Sequence, residues 1–237
     1  MTTKEASGLT KLMAPRSVAV IGASADPLRI GGRPISYMLA RGFKGEIYPV
    51  NPNRAEIQGL KAYASIADLP SAPDVAIVAV AASSVGQTIE DLGRRGTGAA
   101  IVFSSGFAEV GGLGEQLQMD IVAAARRHGM RLLGPNTLGA FDLRRGYFGT
   151  FMSAFDTGFP EPGAIGIASQ SGAYCGHLLT VARRRGIAIS ACAMTGNESD
   201  VTLGDIIQRM VDDDETHVIA AYAEGINRAD TLIAALE

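Results

Sequence analysis

Residues 17–32 read SVAVIGASADPLRIGG, an apolar run that stops on a glycine and opens into a Gly-rich loop. Val18, Ala19, Val20 and Ile21 have the unbroken apolar character of a strand buried on both faces, the habit of a parallel sheet. The Gly-Ala-Ser turn then leaves the strand abruptly. Backbone N–H groups in such a turn, at the mouth of a helix, form a cradle for phosphate. The stretch therefore predicts an α/β fold holding a nucleotide-bearing ligand at the sheet edge. It is not a GxGxxG fingerprint, because Ala23, Ser24, Asp26 and Pro27 fill the turn, and a tight turn that simply needs glycine explains the same residues.

Outward from this stretch, apolar β-branched runs alternate with helical patterns. Strands are expected at 46–50, 75–80, 99–103 and 131–133, and helices at 33–41, 84–95 and 113–128, which implies a parallel sheet with helices on both faces. In the last helix Leu113, Leu117, Ile121 and Ala124 fall at helical spacing and read as its core-facing stripe, closed by Gly129. Residues 144–162 then break the rhythm with Gly, Pro and Phe148, Phe151, Phe155 and Phe159. Those rings are expected in an interdomain core rather than an acyl pocket, and the domain boundary is set near 157–163. Strands at 164–168, 187–193 and 217–222, with helices at 171–185, 202–212 and from Arg228, make a second and apparently unfinished α/β domain. The division is 1–158 and 159–237.

Bulk properties remove several classes of function. The 237 residues carry a net charge of −3 with scattered Lys and Arg, so no footprint for nucleic acid or an anionic membrane is present. Arg183, Arg184 and Arg185 read as a solvated helix end. The N-terminal MTTKEASGLTKLM has no apolar signal core, and no apolar stretch approaches the ~20 residues that cross a bilayer, so a cytoplasmic protein is expected. Cys175 and Cys192 lie outside any CxxC spacing, indicating neither a disulfide framework nor a zinc site, and read as small buried hydrophobes; no metal is expected. His128, His177 and His217 sit outside the Gly-rich loops and are assigned to structure.

In open parallel sheets ligands collect at the carboxyl ends of the strands, so the loops that follow them are the candidate sites. VNPNR at 50–54 offers no Asp or Glu for a ribose 2′-hydroxyl, which weakens plain NAD. Arg54 suits a phosphate on the adenosine ribose instead, or is an ordinary exposed arginine. VAASS at 80–84 is small-residued, with a serine suited to helix capping. FSSGFAE at 103–109 brings Ser104 and Ser105 directly behind a strand, and GPNTLG at 134–139 brings Asn136 between turn-forming glycines. ASQSG at 168–172 opens a helix with free amides and the hydroxyls of Ser169 and Ser171, an anion site; it lacks the glycine flanks of a serine-nucleophile elbow. TGNESD at 195–200 and AEGI at 223–226 would put Glu198, Asp200 and Glu224 on one rim, where a carboxylate can orient a base or a phosphorylated group.

Taken in order, GASADPLRIGG, VNPNR, SSGFAE, GPNTLG, ASQSGAY, TGNESD and AEGI resemble the CoA-binding part of the NDP-forming acyl-CoA synthetases, which include ADP-forming acetate-CoA ligase and the α subunit of succinyl-CoA synthetase. The resemblance runs from about Pro15 to Asn227. It implies a Rossmann-like CoA-binding domain followed by an incomplete flavodoxin-like parallel α/β domain. By the same resemblance Gly22, Ser24, Ala25, Asp26 and Pro27 would wrap the CoA pyrophosphate, Arg54 would contact CoA, and Phe103, Ser104, Ser105 and Asn136 would border the bound carrier. Ser169, Ser171 and Gly172 would hold phosphate or an acyl phosphate, and Glu224 would steady a phosphorylated histidine.

The family reaction converts acyl-CoA, phosphate and ADP reversibly to a carboxylic acid, CoA and ATP. The implied partners are coenzyme A, a carboxylic acid or acyl phosphate, and an ATP-grasp domain or subunit in cis or in trans, within an oligomer. The histidine-bearing loop would fall beyond residue 237, so the chain alone is expected to bind CoA without completing turnover. The alternatives are a non-catalytic CoA-binding regulatory module or part of a fused acyltransferase, and, behind them, an NADP-dependent oxidoreductase using Arg54.

Overall fold

A computed structural model describes residues 3–226 and 228–237, with side chains from Gly8 onward; Asn227, where the resemblance ends, lies outside them. The first unit begins with α1 (Thr3–Met13), β1 (Ser17–Ile21), α2 (Arg33–Ala40), β2 (Glu46–Val50) and a small hairpin, β3 (Glu56–Ile57) and β4 (Leu60–Lys61). It continues through β5 (Val75–Val78), α3 (Ala82–Arg95), β6 (Ala99–Val102), α4 (Leu113–His128) and β7 (Arg131–Leu133). Strand order is β2-β1-β5-β6-β7, every pair parallel. The chain leaves β1 toward β2 and returns on its other side as β5, so strand order reverses at β1 and a crevice opens at its carboxyl end.

Helix α4 departs from the expected stripe. Leu113 is 86% exposed and Leu117 39% exposed, whereas Ile121, Ala124 and Ala125 are buried. Gly114 takes the inward place in the first turn, where a Cβ would lie 2.0 Å from the carbonyl oxygen of Phe107. The buried face therefore starts one residue later than the leucines suggest. It also carries Gln118, whose Oε1 accepts from the Ala108 N–H.

The second unit comprises β8 (Gly139–Asp142), β9 (Tyr147–Thr150), β10 (Pro162–Ser169), α5 (Gly172–Arg185), β11 (Ile189–Met194), α6 (Leu203–Val211), β12 (Val218–Tyr222) and α7 (Ala229–Leu236). Its order is β12-β10-β11-β8-β9, parallel across β12, β10 and β11 and antiparallel across β8 and β9. Residues 139–150, for which the sequence pattern predicts no strands, thus form a hairpin added to the second sheet. Asp142 closes its turn by accepting from the N–H groups of Arg144 and Arg145 at 2.9 and 3.1 Å.

Both sheets drain into one hydrophobic cluster. Tyr37 of α2 meets Phe148, Phe155 and Phe159 edge-on at 6.0, 5.7 and 5.9 Å between ring centres. The phenylalanines belong to this core, as the sequence favoured. Arg33, the first residue of α2, pairs with Asp156 at 2.7 Å, and the Tyr37 hydroxyl donates to the same carboxylate at 2.5 Å. Burial, reinforced by the neighbouring Asp156 carboxylate, pushes the Tyr37 phenol up. Among the described residues no helix is long and apolar enough to cross a membrane.

Candidate functional site

The loop after β1 is folded against itself. Gly22 turns with φ 83°, and a Cβ there would stand 2.4 Å from the carbonyl oxygen of Ala79; a Cβ on Gly31 would stand 2.1 Å from that of Gly22. Only glycine permits both approaches. The N–H groups of Gly22 and Ala23 both donate to the Val50 carbonyl at 3.2 Å, and that of Ser24 donates to Gly31 at 3.3 Å. The first amides of the turn are therefore used inside the fold. Those of Ala25, Ile30 and Gly31 have no acceptor among the described residues. Free donors of this kind are what a phosphate cradle requires.

Polar side chains brace the loop from outside. Asp26 N–H donates to Ser24 Oγ at 3.1 Å, and Asp26 Oδ1 accepts from Leu28 N–H at 3.0 Å. Asn51 Nδ2 donates to Ala23 at 2.8 Å, and Gln58, in the β3–β4 turn with φ 52°, donates to the carbonyls of Ser24 and Gly32 at 3.0 and 3.1 Å. Nothing in the sequence singled out Gln58. Gly22, Ser24, Ala25, Asp26 and Arg54 line a cleft of about 880 Å³, with Pro27 in the same loop. Arg54 is exposed and has no side-chain partner among the described residues. A second cleft of about 700 Å³ meets the first at Gly22; Ile21, Val50, Pro52, Ile66 and Val80 wall it, and Arg94 and Arg95 stand at its rim.

Across the switch point the loops behind β6, β7 and β11 are tied together. Phe103 is buried against Phe151 at 4.6 Å between ring centres. Ser104 Oγ donates to the Val80 carbonyl, and the Ser104 carbonyl accepts from Asn136 N–H at 2.9 Å; Ser105 is exposed. Asn136, with φ 57°, donates through Nδ2 to Asn197 Oδ1 at 3.3 Å. Asn197 Nδ2 reaches Glu109 Oε2 at 2.5 Å and Gln118 Oε1 at 2.9 Å. Burial works to raise the Glu109 pKa, but hydrogen bonds from Asn197 and from the Gly106 and Phe107 amides outweigh it and hold the carboxyl below its ordinary range.

On the second sheet Ser169 is fully buried at the end of β10, and its Oγ donates to the Ser171 carbonyl at 2.8 Å while accepting from Ser171 N–H at 3.1 Å. Ser171 caps α5 by accepting from Tyr174 N–H at 3.4 Å. The first-turn amides of Gly172 and Ala173 then lack intrahelical acceptors, as at any helix start. Gln170 accepts from the Glu224 and Gly225 N–H groups at 2.6 and 3.0 Å and donates to the Gly225 carbonyl at 2.7 Å. Glu224 is held by its backbone with its side chain exposed. The expected trio of rim carboxylates does not assemble. Glu198 accepts from Leu203 N–H at 2.7 Å at the start of α6, and Asp200 is taken by Arg131 at 2.8 Å and Leu132 N–H at 2.9 Å, because each satisfies a group the fold would otherwise bury unpaired.

Residues 16–141 match the CoA binding domain family, and residues 162–237 match the succinyl-CoA ligase like flavodoxin domain. The chain belongs to the CoA binding domain family. It carries the CoA-binding portion of the ADP-forming acyl-CoA synthetases. It is 40% identical over 229 residues to a trans-feruloyl-CoA synthase from an unknown prokaryotic organism, covering 96% of this chain and 32% of that protein. It is 36% identical over 222 residues to the acetate–CoA ligase [ADP-forming] I subunit alpha of Pyrococcus furiosus, covering 92% of this chain and 47% of the relative. Among solved structures, the apo form of the dinucleotide forming acetyl-coenzyme A synthetase 1 of Ca. Korarchaeum cryptofilum superposes with a TM-score of 0.88 at 36% identity, covering 96% of this chain and 49% of that one. The chain thus spans about a third to a half of the length of these relatives.

Proposed function

We propose that this chain holds coenzyme A along the carboxyl edge of its first sheet and directs the thiol toward residues 169–172 of the second. The observation that carries the reading is the pair of clefts joined at Gly22, one presenting unpaired amides and Arg54, the other mostly apolar. The pyrophosphate lies against the amides of Ala25, Ile30 and Gly31, with Gly22, Ser24, Asp26 and Pro27 shaping the turn. Arg54 reads the 3′-phosphate, and the base enters the apolar cleft. The pantetheine arm passes Phe103, Ser104, Ser105 and Asn136.

The reaction served is acyl-CoA, phosphate and ADP to carboxylate, CoA and ATP. Phosphate attacks the thioester carbonyl, forming an acyl phosphate and releasing the CoA thiol; amides at the start of α5, with Ser169, Ser171 and Gly172, offset the charge. Glu224 supports the later phosphoryl transfer, which an ATP-grasp unit in cis or in trans completes. The relatives described as alpha subunits support a partner subunit. The names of other relatives range from acetate to an aromatic acid, which supports a carboxylic acid as the substrate class.

Calorimetric titration with CoA, 3′-dephospho-CoA, NADP and NAD tests the reading. CoA binds, and Arg54→Ala weakens CoA by roughly 1–3 kcal/mol while leaving dephospho-CoA nearly unchanged. Binding of NADP in place of CoA would overturn the proposal.

A further inference from the structure

Cys175, in the first turns of α5, and Cys192, in the middle of β11, lie 17 residues apart in sequence, and their sulfurs stand 3.0 Å apart. Carbon atoms at rest keep about 3.5–4.0 Å, so two larger sulfurs at this distance are already inside ordinary contact. Closing to a disulfide takes about 1 Å more. Both thiols are free and fully buried in the shared core. Cys192 lies across from Ile167 on β10 and Phe141 on β8, which leaves the other cysteine as its redox-active neighbour.

We propose that Cys175 and Cys192 form an intramolecular disulfide in the presence of hydrogen peroxide, fastening α5 to β11. One sulfur, as thiolate, attacks a peroxide oxygen and becomes a sulfenic acid with release of water. The second displaces that oxygen as a second water, so the two thiols lose two electrons and two protons and the peroxide is reduced. Burial pushes the Cys192 thiol up, away from the reactive form, so the reaction waits for local opening of the first turns of α5. The same burial shields the finished bond from glutathione.

Trypsin cuts after Arg183, Arg184 and Arg185, between the two cysteines. After peroxide treatment and alkylation of remaining thiols, a non-reduced digest yields the two cysteine peptides joined, and reduction separates them. The cross-linked chain melts roughly 6–12 °C higher than the reduced chain, from the loop it closes and the size of the protein. Cys175→Ser and Cys192→Ser each abolish the joined peptide and the shift. Alkylation of both cysteines after peroxide treatment, and again after refolding in the presence of oxidised glutathione, would overturn the proposal; so would cross-links found only between chains.

Discussion

At Gly22 and Gly31 two backbones pass where no side chain fits, and the carbonyl of the first faces the Cα of the second. Gly22→Ala must push the loop off the Ala79 carbonyl and Gly31→Ala must push it off Gly22, each with a cost of about 1–3 kcal/mol in stability and at least a tenfold loss of CoA affinity by titration. Gln58→Ala removes two donors from the same loop, and its effect belongs on ligand affinity more than on melting, since the turn it leaves is at the surface. Arg131 is the opposite case. It is buried between Asp200 and Asp205, so Arg131→Met strands two carboxylates and should destabilise by about 3–5 kcal/mol in urea. The glycines were legible in sequence as a tight turn after an apolar strand, because leaving a buried strand so abruptly needs backbone freedom that only glycine has. Gln58, Gln118 and Asn197 were not legible in these roles, since each acts on groups far along the chain and carries no local pattern.

Periodicity failed within a single helix. The leucines of α4 fit a 3.6-residue repeat, but the helix docks through Gly114 onto the Phe107 carbonyl, and that close approach sets which face turns inward. Leu113→Glu is therefore expected to change stability by no more than about 0.5 kcal/mol, whereas Ile121→Ala should lose about 2–4 kcal/mol, both read from urea denaturation. The β8–β9 hairpin was missed for a related reason. Its strands are short, begin at Gly139 and enclose Arg144, Arg145 and Gly146, so their signal resembles a loop until β11 supplies the partner. Strands β1, β5 and β6 were clear because burial on both faces writes a continuous apolar run.

Tyr37 of the first unit sits among the rings of Phe148, Phe155 and Phe159, so neither sheet has a core of its own on that side. Heat should unfold the chain in one calorimetric transition, and Phe148→Ala should lower it as a whole by about 3–5 kcal/mol instead of splitting it. Acid acts on this seam at Asp156 and away from it at Asp74 and Asp213. The Arg33 hydrogen bond holds Asp156 below the usual carboxylate range; for Asp74 and Asp213 burial opposes ionisation, but bonds from Arg16 and Lys11, and from Arg144 and Thr216, outweigh it. Carboxyls depressed in the folded state stabilise it above their unfolded pKa near 3.9 and lose that contribution as pH falls through their folded values. Melting temperature should therefore drop from about pH 4 downward, and less steeply in Asp156→Asn. The two-sheet architecture was readable from alternating runs; the fusion of the sheets was not, because the rings that fuse them lie more than a hundred residues from Tyr37. Asn197 extends that fusion to the ligand edge, with its own N–H on the Pro135 carbonyl and that of Ser199 on Gly134. A carrier settling on the loops behind β6 and β7 should thus slow deuterium uptake at Asn197 and Ser199, so the loop behind β11 records an occupant lodged on the neighbouring sheet.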